Sequence, residues 1–379
     1  MIAVGTNATI APPVESVIRG AQRAESRGYD SLWWPDHLMG FHPQLLWRPE
    51  VTALARAVPN PHIFVDPVAA IAACAVHTER IRLGTSVTDA IRRHPAMLAQ
   101  EFLTLDHFSK GRTILGIGAG EGENITPYGM SFDRPVARLE ESLRIIRLLW
   151  STDEPVDFDG EWWTLRDAVL GLQPYRTAPD GSPLPPPIWC GAHGPRMLDL
   201  TGRLCDGWLP IYQGGPQRWR SGLERIRAAA AAAGRDLTGF TPGLLAHVVV
   251  AETESELDRL LDSPLIRAWM LTLPSSCFEE FGVPHPLGKG AYGLLDYIPT
   301  RMSADEVEAA LAAVPDGLAR RYLLAGSPDD ILAELREFVS AGLEHLVLWN
   351  LTYLADASLL RSSYAVLDEI AQRLRQGGT

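Results

Sequence analysis

The 379-residue chain is short of several things, and each shortage closes off a class of function. Its four cysteines, Cys74, Cys190, Cys205 and Cys277, lie far apart with no C-x-x-C pair, so neither a disulfide framework nor a zinc cluster is expected. Basic residues are in deficit: 34 Lys and Arg against 46 Asp and Glu leave a formal charge of −12. A surface of that sign does not attract phosphate backbones or anionic lipid, so no nucleic acid or membrane partner is expected. No uncharged apolar run approaches the ~20 residues of a membrane span. Residues 1–13 lack the basic n-region of a secretory signal, and a cytoplasmic protein is expected. Repeats and low-complexity tracts are missing too; the alanines of 228–233 read simply as strong helix.

What is present is an ordinary globular composition, 46% hydrophobic and 21% charged, on a length that suits one large α/β barrel or two medium domains. Strand and helix signals alternate. Ser31–Pro35, Ile81–Val87, Arg112–Gly118, Ile188–Ala192, Gly207–Ile211, Leu244–Val250 and His345–Trp349 read as strands after a short first one at Ile2–Thr6. Between them, Val14, Val17, Ile18, Ala21 and Ala24 fall at helical spacing and stop at Gly28, and Asp133 is expected to cap a helix from Val136 to Leu149. Ser327, Pro328, Asp329 and Asp330 make a second helix start. The alternation is interrupted by a long loop at 39–66, by a hairpin turning at Asp159-Gly160 and a Pro-rich stretch within 151–187, and by an inserted loop at 274–300. About eight parallel units make a single TIM (β/α)8 barrel over 1–379 the expected fold. A doubly wound sheet competes, but Gly116–Gly122 (GIGAGEG) does not fit G-x-G-x-x-G and follows a fourth strand rather than the first.

In a barrel the chemistry gathers where strands end at the C-terminal face. Four strand ends carry polar residues: Asp36 and His37; Thr88 and Asp89; Glu121; and His193 with Gly194 before Pro195. Together they supply an acid–base set and a glycine-containing helix start able to seat a phosphate. Each has a plainer structural reading. His37 pairs with Asp36 in a turn, Glu121 is a solvated carboxylate, Thr85, Ser86 and Thr88 are strand formers, and Trp33-Trp34 is core. The joint placement on one rim, rather than any single residue, favours function.

At these residues the chain resembles the luciferase-like family, in the branch that uses the deazaflavin coenzyme F420. The resemblance rests on Tyr29–Leu38 (YDSLWWPDHL), Leu83–Gln100 (LGTSVTDAIRRHPAMLAQ), Thr113–Gly129 (TILGIGAGEGENITPYG), Ile188–Leu209 (IWCGAHGPRMLDLTGRLCDGWL) and the closing stretch Ala325–Trp349. The pattern is most similar to the ketoreductase type of that branch, and more distantly to its sugar-phosphate dehydrogenase and tetrahydromethanopterin reductase types. By position, the resemblance implies that Asp36 and Thr88 contact the coenzyme, that Thr85-Ser86 lies at a non-proline cis peptide behind the ring, and that Gly118 and Glu121 border its pyrimidine edge. Gly191, Ala192, His193 and Gly194 would hold the phosphate, with His193 standing where the sugar-phosphate enzymes have a glycine. Catalysis would fall to His37 and Glu121. The proton of a carbonyl reduction would come from His37 or be tuned by Asp36, and the sequence leaves the two open. Arg92, Arg93 and Arg196 are candidates for the coenzyme's anionic tail. A homodimer is implied in the same way.

The loop 39–66 carries Phe41, Trp47 and Phe64, which suggest an apolar wall or lid for a lipid-like ketone, or equally a loop packed on the barrel. No metal site is expected. An FMN-dependent monooxygenase on the same barrel, and a non-catalytic barrel carrying a coenzyme or lipid, are the alternatives.

Overall fold

A computed structural model describes residues 2–377. Eight strands, β1 Ala3–Asn7, β2 Ser31–Trp34, β3 Arg82–Thr85, β4 Thr113–Gly118, β5 Ile188–Cys190, β6 Gly207–Trp208, β7 Thr241–Val250 and β8 His345–Asn350, pair in chain order. Every pairing is parallel, and β8 returns to β1 (Ala3 opposite His345), so the barrel closes. The strands are short apolar runs because both of their faces are covered. Inside, Trp33 and Trp189 lie with ring centroids 5.3 Å apart. They fit because glycines face them: a Cβ on Gly84 would stand 2.6 Å from the Trp33 ring, and one on Gly207 2.6 Å from that of Trp189.

Each strand is followed by a covering helix: α1 Val14–Ser26, α2 Pro67–Ala75, α3 Pro95–Ser109, α4 Pro135–Ser151, α5 Pro195–Leu204, α6 Pro216–Ala232, α7 Pro328–Ser340 and α8 Leu360–Gln376. The expected stops and starts are largely met. Gly28 takes a positive φ after α1, and Ser327 and Asp330 close a reciprocal capping box on α7. The start of α4 differs. Pro135 occupies the first helical position, which makes Arg134 (φ 44°), not Asp133, the cap residue, and no side chain caps it.

The hairpin joins Val156–Asp159 to Thr164–Ala168 with Asp159 opposite Thr164, so its loop is Gly160–Trp163 and not a two-residue turn. Glu141 of α4 is the reason: its buried carboxylate accepts the N–H groups of Glu161 (2.8 Å), Trp162 (3.1 Å) and Trp163 (2.8 Å). The insert at 274–300 is likewise not an isolated loop. It belongs to a helical region (Glu254–Leu261, Pro264–Met270, Ser275–Glu279, Ala304–Ala312, Leu318–Tyr322) with its own apolar core around Leu260, Ile266, Phe278 and Leu318. Beyond β3 the chain passes a cis peptide at Ser86–Val87, one bond later than expected, and Thr88-Asp89 then pairs with the end of β4.

Candidate active site

The ends of β2, β3, β4 and β5 meet on the C-terminal rim, and the first two bring Asp36 and Thr88 together. Thr88 Oγ1 donates to Asp36 Oδ2 at 2.6 Å, Arg93 ion-pairs with the same oxygen, and Arg92 Nη1 lies 3.3 Å from Oδ1. Burial alone would raise the Asp36 carboxyl, but the Arg92 and Arg93 guanidiniums and the Thr88 hydroxyl outweigh it and hold it below the ordinary range. Asp36 is therefore a fixed carboxylate, held between two guanidiniums and a hydroxyl. The two arginines are consumed by this work. Arg92 also pairs with Asp89, and Arg93 with Asp66 at 2.7 Å, so neither is free for an anionic coenzyme tail; Arg196, on the first turn of α5, is exposed.

His37 sits between two rings of the long loop, stacked with Phe64 at 5.4 Å and edge-on to Phe41 at 5.0 Å, with 8% of its side chain exposed. Its Nε2 lies 3.4 Å from Glu121 Oε2, the more open of the nearby carboxylates. Two residues that the sequence reading passed over complete the cluster. Asn124 Oδ1 accepts the N–H groups of Leu38 (2.7 Å) and Met39 (3.1 Å), and its Nδ2 stands 3.0 Å from His37 Nδ1 and 2.9 Å from Glu123 Oε1. Glu123 is fully buried, and among the described residues its Oε2 has no hydrogen-bond partner. Burial first, and the neighbouring Glu121 charge second, push its carboxyl far above the ordinary range. The signal was there in Gly120–Asn124 (GEGEN), two carboxyls and an amide in one glycine-rich turn. What it lacked was the 3₁₀ turn Gly122–Asn124 that folds them inward. Gly122 is required there, because a Cβ would collide with the Leu295 carbonyl of the helical insert.

Ligand-type atoms of His37, Glu121 and Glu123 lie within 4.8 Å of one another. The spacing would suit a cation, but an amide N–H donor, Asn124 Nδ2, projects among them with its orientation set by two backbone bonds.

The rim beside it is lined by glycine. Cβ atoms on Gly118 and Gly191 would approach the Val87 side chain at 2.9 and 3.3 Å, so these glycines let the half-buried Val87 pack close against the ends of β4 and β5. Ser86 Oγ next to it is buried without a partner among the described residues. Gly194 precedes α5 with open space around its Cα and no side-chain cap, so the first N–H groups of that helix are available. Two other expected contacts are spoken for: Thr85 Oγ1 is buried and donates to Gly116 O at 2.7 Å, and the Gly191 N–H donates to Ile117 O at 3.0 Å. Ala192 and the exposed His193 are engaged only through a carbonyl, which accepts from Trp208 Nε1 at 2.8 Å, and through a ring nitrogen, which accepts from Ile211 N–H at 3.3 Å; neither bond uses a backbone N–H of these two residues. A cavity of about 300 Å³ opens on the far side of His193, between Trp208, Ile211, Arg218 and Trp219, and none of its lining belongs to the His37 cluster.

Of the expected substrate wall, Phe41 and Phe64 flank His37, but Trp47 does not. Its Nε1 donates to Val58 O at 2.6 Å and its ring is buried in the core of the helical insert. The wall continues instead through Trp269, edge-on to Phe41 at 5.2 Å, to His247 at 4.9 Å. Burial drives His247 down to about 3, so it is a neutral ring.

A closed parallel barrel with a histidine and two carboxyls clustered on its C-terminal rim is an α/β-barrel of the enzyme-bearing kind. The model of the luciferase-like monooxygenase family matches residues 2–345, and the chain belongs to that family. It is 35% identical over 358 residues (93% of this chain, 92% of the relative) to the phthiodiolone/phenolphthiodiolone dimycocerosates ketoreductase of Mycobacterium sp. (strain JLS). It is 32% identical over 335 residues (86% and 84%) to the F420-dependent glucose-6-phosphate dehydrogenase of Kineococcus radiotolerans. Among solved structures, an F420-dependent secondary alcohol dehydrogenase in complex with an F420–acetone adduct superposes with a TM-score of 0.71 at 22% identity, covering 98% of this chain and 99% of that one. The oxygenating constituent of 3,6-diketocamphane monooxygenase from Pseudomonas putida, in complex with FMN, shares the fold at a TM-score of 0.64 and 20% identity, covering 98% of each chain.

Proposed function

We propose that this chain is an F420-dependent oxidoreductase that moves a hydride between the deazaflavin and a carbonyl or alcohol carbon, and that it reduces an apolar ketone. The observation that carries the reading is the division of labour at the end of β2: Asp36 is locked as a carboxylate by two arginines, while His37 next to it keeps Nε2 turned to Glu121 and the rim. The names of the two curated relatives support the same chemistry.

The residues present fit such a coenzyme. The half-buried Val87, packed beside Gly118 and Gly191, offers an apolar surface with no bulky neighbour at those two positions; Ser86 Oγ is a spare polar atom next to it; and the open start of α5 at Gly194 suits a phosphate. When bound, the deazaflavin supplies hydride chemistry from a ring carbon and reacts poorly with oxygen. The chain supplies the rest. His37 Nε2 delivers a proton to the oxygen of the reduced carbonyl. That nitrogen then takes a replacement proton from solvent through the more open Glu121 carboxyl beside it, which returns the ring to its starting state. Phe41 and Phe64 keep bulk water off the imidazole, and with Trp269 they give the substrate a wall of aromatic faces.

The FMN-dependent reading is favoured by fold likenesses to proteins solved with FMN or a modified FMN. Titration of the purified protein with each cofactor separates the two: saturable quenching of F420 fluorescence with weak or absent FMN binding supports the proposal, and the reverse order removes it. Location in the cytoplasm and a homodimer belong to the same reading, and light scattering checks the second.

A further inference from the structure

Asn124 takes part in the cluster in a way that no motif or relative's name assigns. Its carbonyl end is committed to the N–H groups of Leu38 and Met39, so its amide orientation is fixed and its Nδ2 must point at the imidazole. Two N–H bonds leave that nitrogen. One reaches Glu123 Oε1 at 2.9 Å; the other has His37 Nδ1 at 3.0 Å, well ahead of Glu121 Oε2 at 3.4 Å. A ring nitrogen 3.0 Å from an amide donor is stable only as an acceptor. The competing arrangement, Nδ1–H donating to Met39 O, has the longer contact of 3.2 Å and would set two donors face to face.

We propose that Asn124, pinned by the backbone of Leu38–Met39 and by Glu123, is a positioning residue that makes His37 Nδ1 an acceptor and so keeps the ring's proton on Nε2, the nitrogen facing Glu121 and the rim. The groups that face this pair are Glu121 and Glu123 from the turn after β4, Arg92 from the turn after β3, and Tyr297 from the helical insert, whose hydroxyl is buried without a partner among the described residues. Glu123 serves as a neutral acceptor. Its remaining oxygen lies in the buried interior, where a carboxylate beside Glu121 would be costly.

The inference rests on reading His37 as the proton carrier, but its test needs no coenzyme, so the two can fail separately. Protein labelled with ¹⁵N-histidine is titrated by NMR, and His37 is assigned by the signal lost in H37N. The expected result is a neutral ring with Nε2 protonated in the wild type and in E123Q, whose amide oxygen still accepts from Asn124. In N124D the new carboxylate faces Nδ1, and the proton moves onto that nitrogen. Turnover of N124A falls at least tenfold while its affinity for F420 stays within a few-fold. A wild-type His37 protonated on Nδ1 overturns the proposal, and so does an N124D spectrum identical to that of the wild type. A large displacement of the His37 titration in E123Q overturns the neutral role of Glu123. The wild-type and E123Q spectra decide the matter even if N124D does not fold.

Discussion

Three residues within one turn of the rim behave differently because their surroundings differ. Asp36 is buried yet ionised, since Arg92, Arg93 and Thr88 all favour its charge. R93A leaves that carboxylate half-paired in a buried site, and a loss of about 3–5 kcal/mol is expected by chemical denaturation. In the proposed function His37 carries the proton. H37A should lose 10²–10⁴-fold, roughly the worth of a positioned general acid, in turnover, while the F420 dissociation constant changes little. E121Q should slow hydride transfer, followed by single-turnover absorbance, more than it weakens coenzyme binding. Glu123 is the third case. Its folded-state carboxyl is raised, so the folded chain keeps a proton that the unfolded chain releases, and stability falls as pH rises above the ordinary carboxylate range. E123Q removes that dependence. Its melting temperature should exceed the wild type's at pH 8, with the difference shrinking toward pH 5; an equal gap at both would show that Glu123 is ionised in the fold.

Elements decide where these residues stand. The 3₁₀ turn Gly122–Asn124 packs under the insert's backbone at Leu295, and the hairpin tip is gathered onto α4 by a single carboxylate, Glu141. Truncation in E141A leaves three N–H groups without their acceptor. A loss of about 1–3 kcal/mol and faster amide exchange at Glu161–Trp163 are expected, without effect on coenzyme affinity. The sequence made the parallel strands legible, because buried strands are apolar runs at regular spacing, and helix starts were legible where Pro and Ser or Asp fall together, as at Ser327-Pro328. The start of α4 and the hairpin loop were misplaced for local reasons: Pro135 claims the first helical position, and Glu141 comes from a distant element that no short-range turn rule includes. His37 and Glu121 were legible from their place at strand ends. Asn124 and Glu123 were not, since their positions depend on a turn pressed inward by residues some 170 positions further along the chain, and Arg92 and Arg93, expected at the coenzyme's anionic tail, are taken up instead by carboxylates that the fold brings beside them.

At the scale of the molecule, the barrel brings four strand ends into one place, and the helical region 254–322 closes over the long loop so that aromatic rings enclose the imidazole. Tryptophans fill the barrel's interior against Gly84 and Gly207. G84A would drive a Cβ into the Trp33 ring, and a loss of about 1–3 kcal/mol from overpacking is expected. In the proposed function the rim has one job, which is to hold a hydride carrier against His37. The most direct test is a fluorescence titration of the wild-type and H37A proteins with F420, run beside FMN. The account predicts saturable binding of F420 by both, with FMN much weaker, and ketone reduction by the wild type alone. Absence of saturable F420 binding in the folded wild-type protein, or equal turnover by H37A, would contradict it.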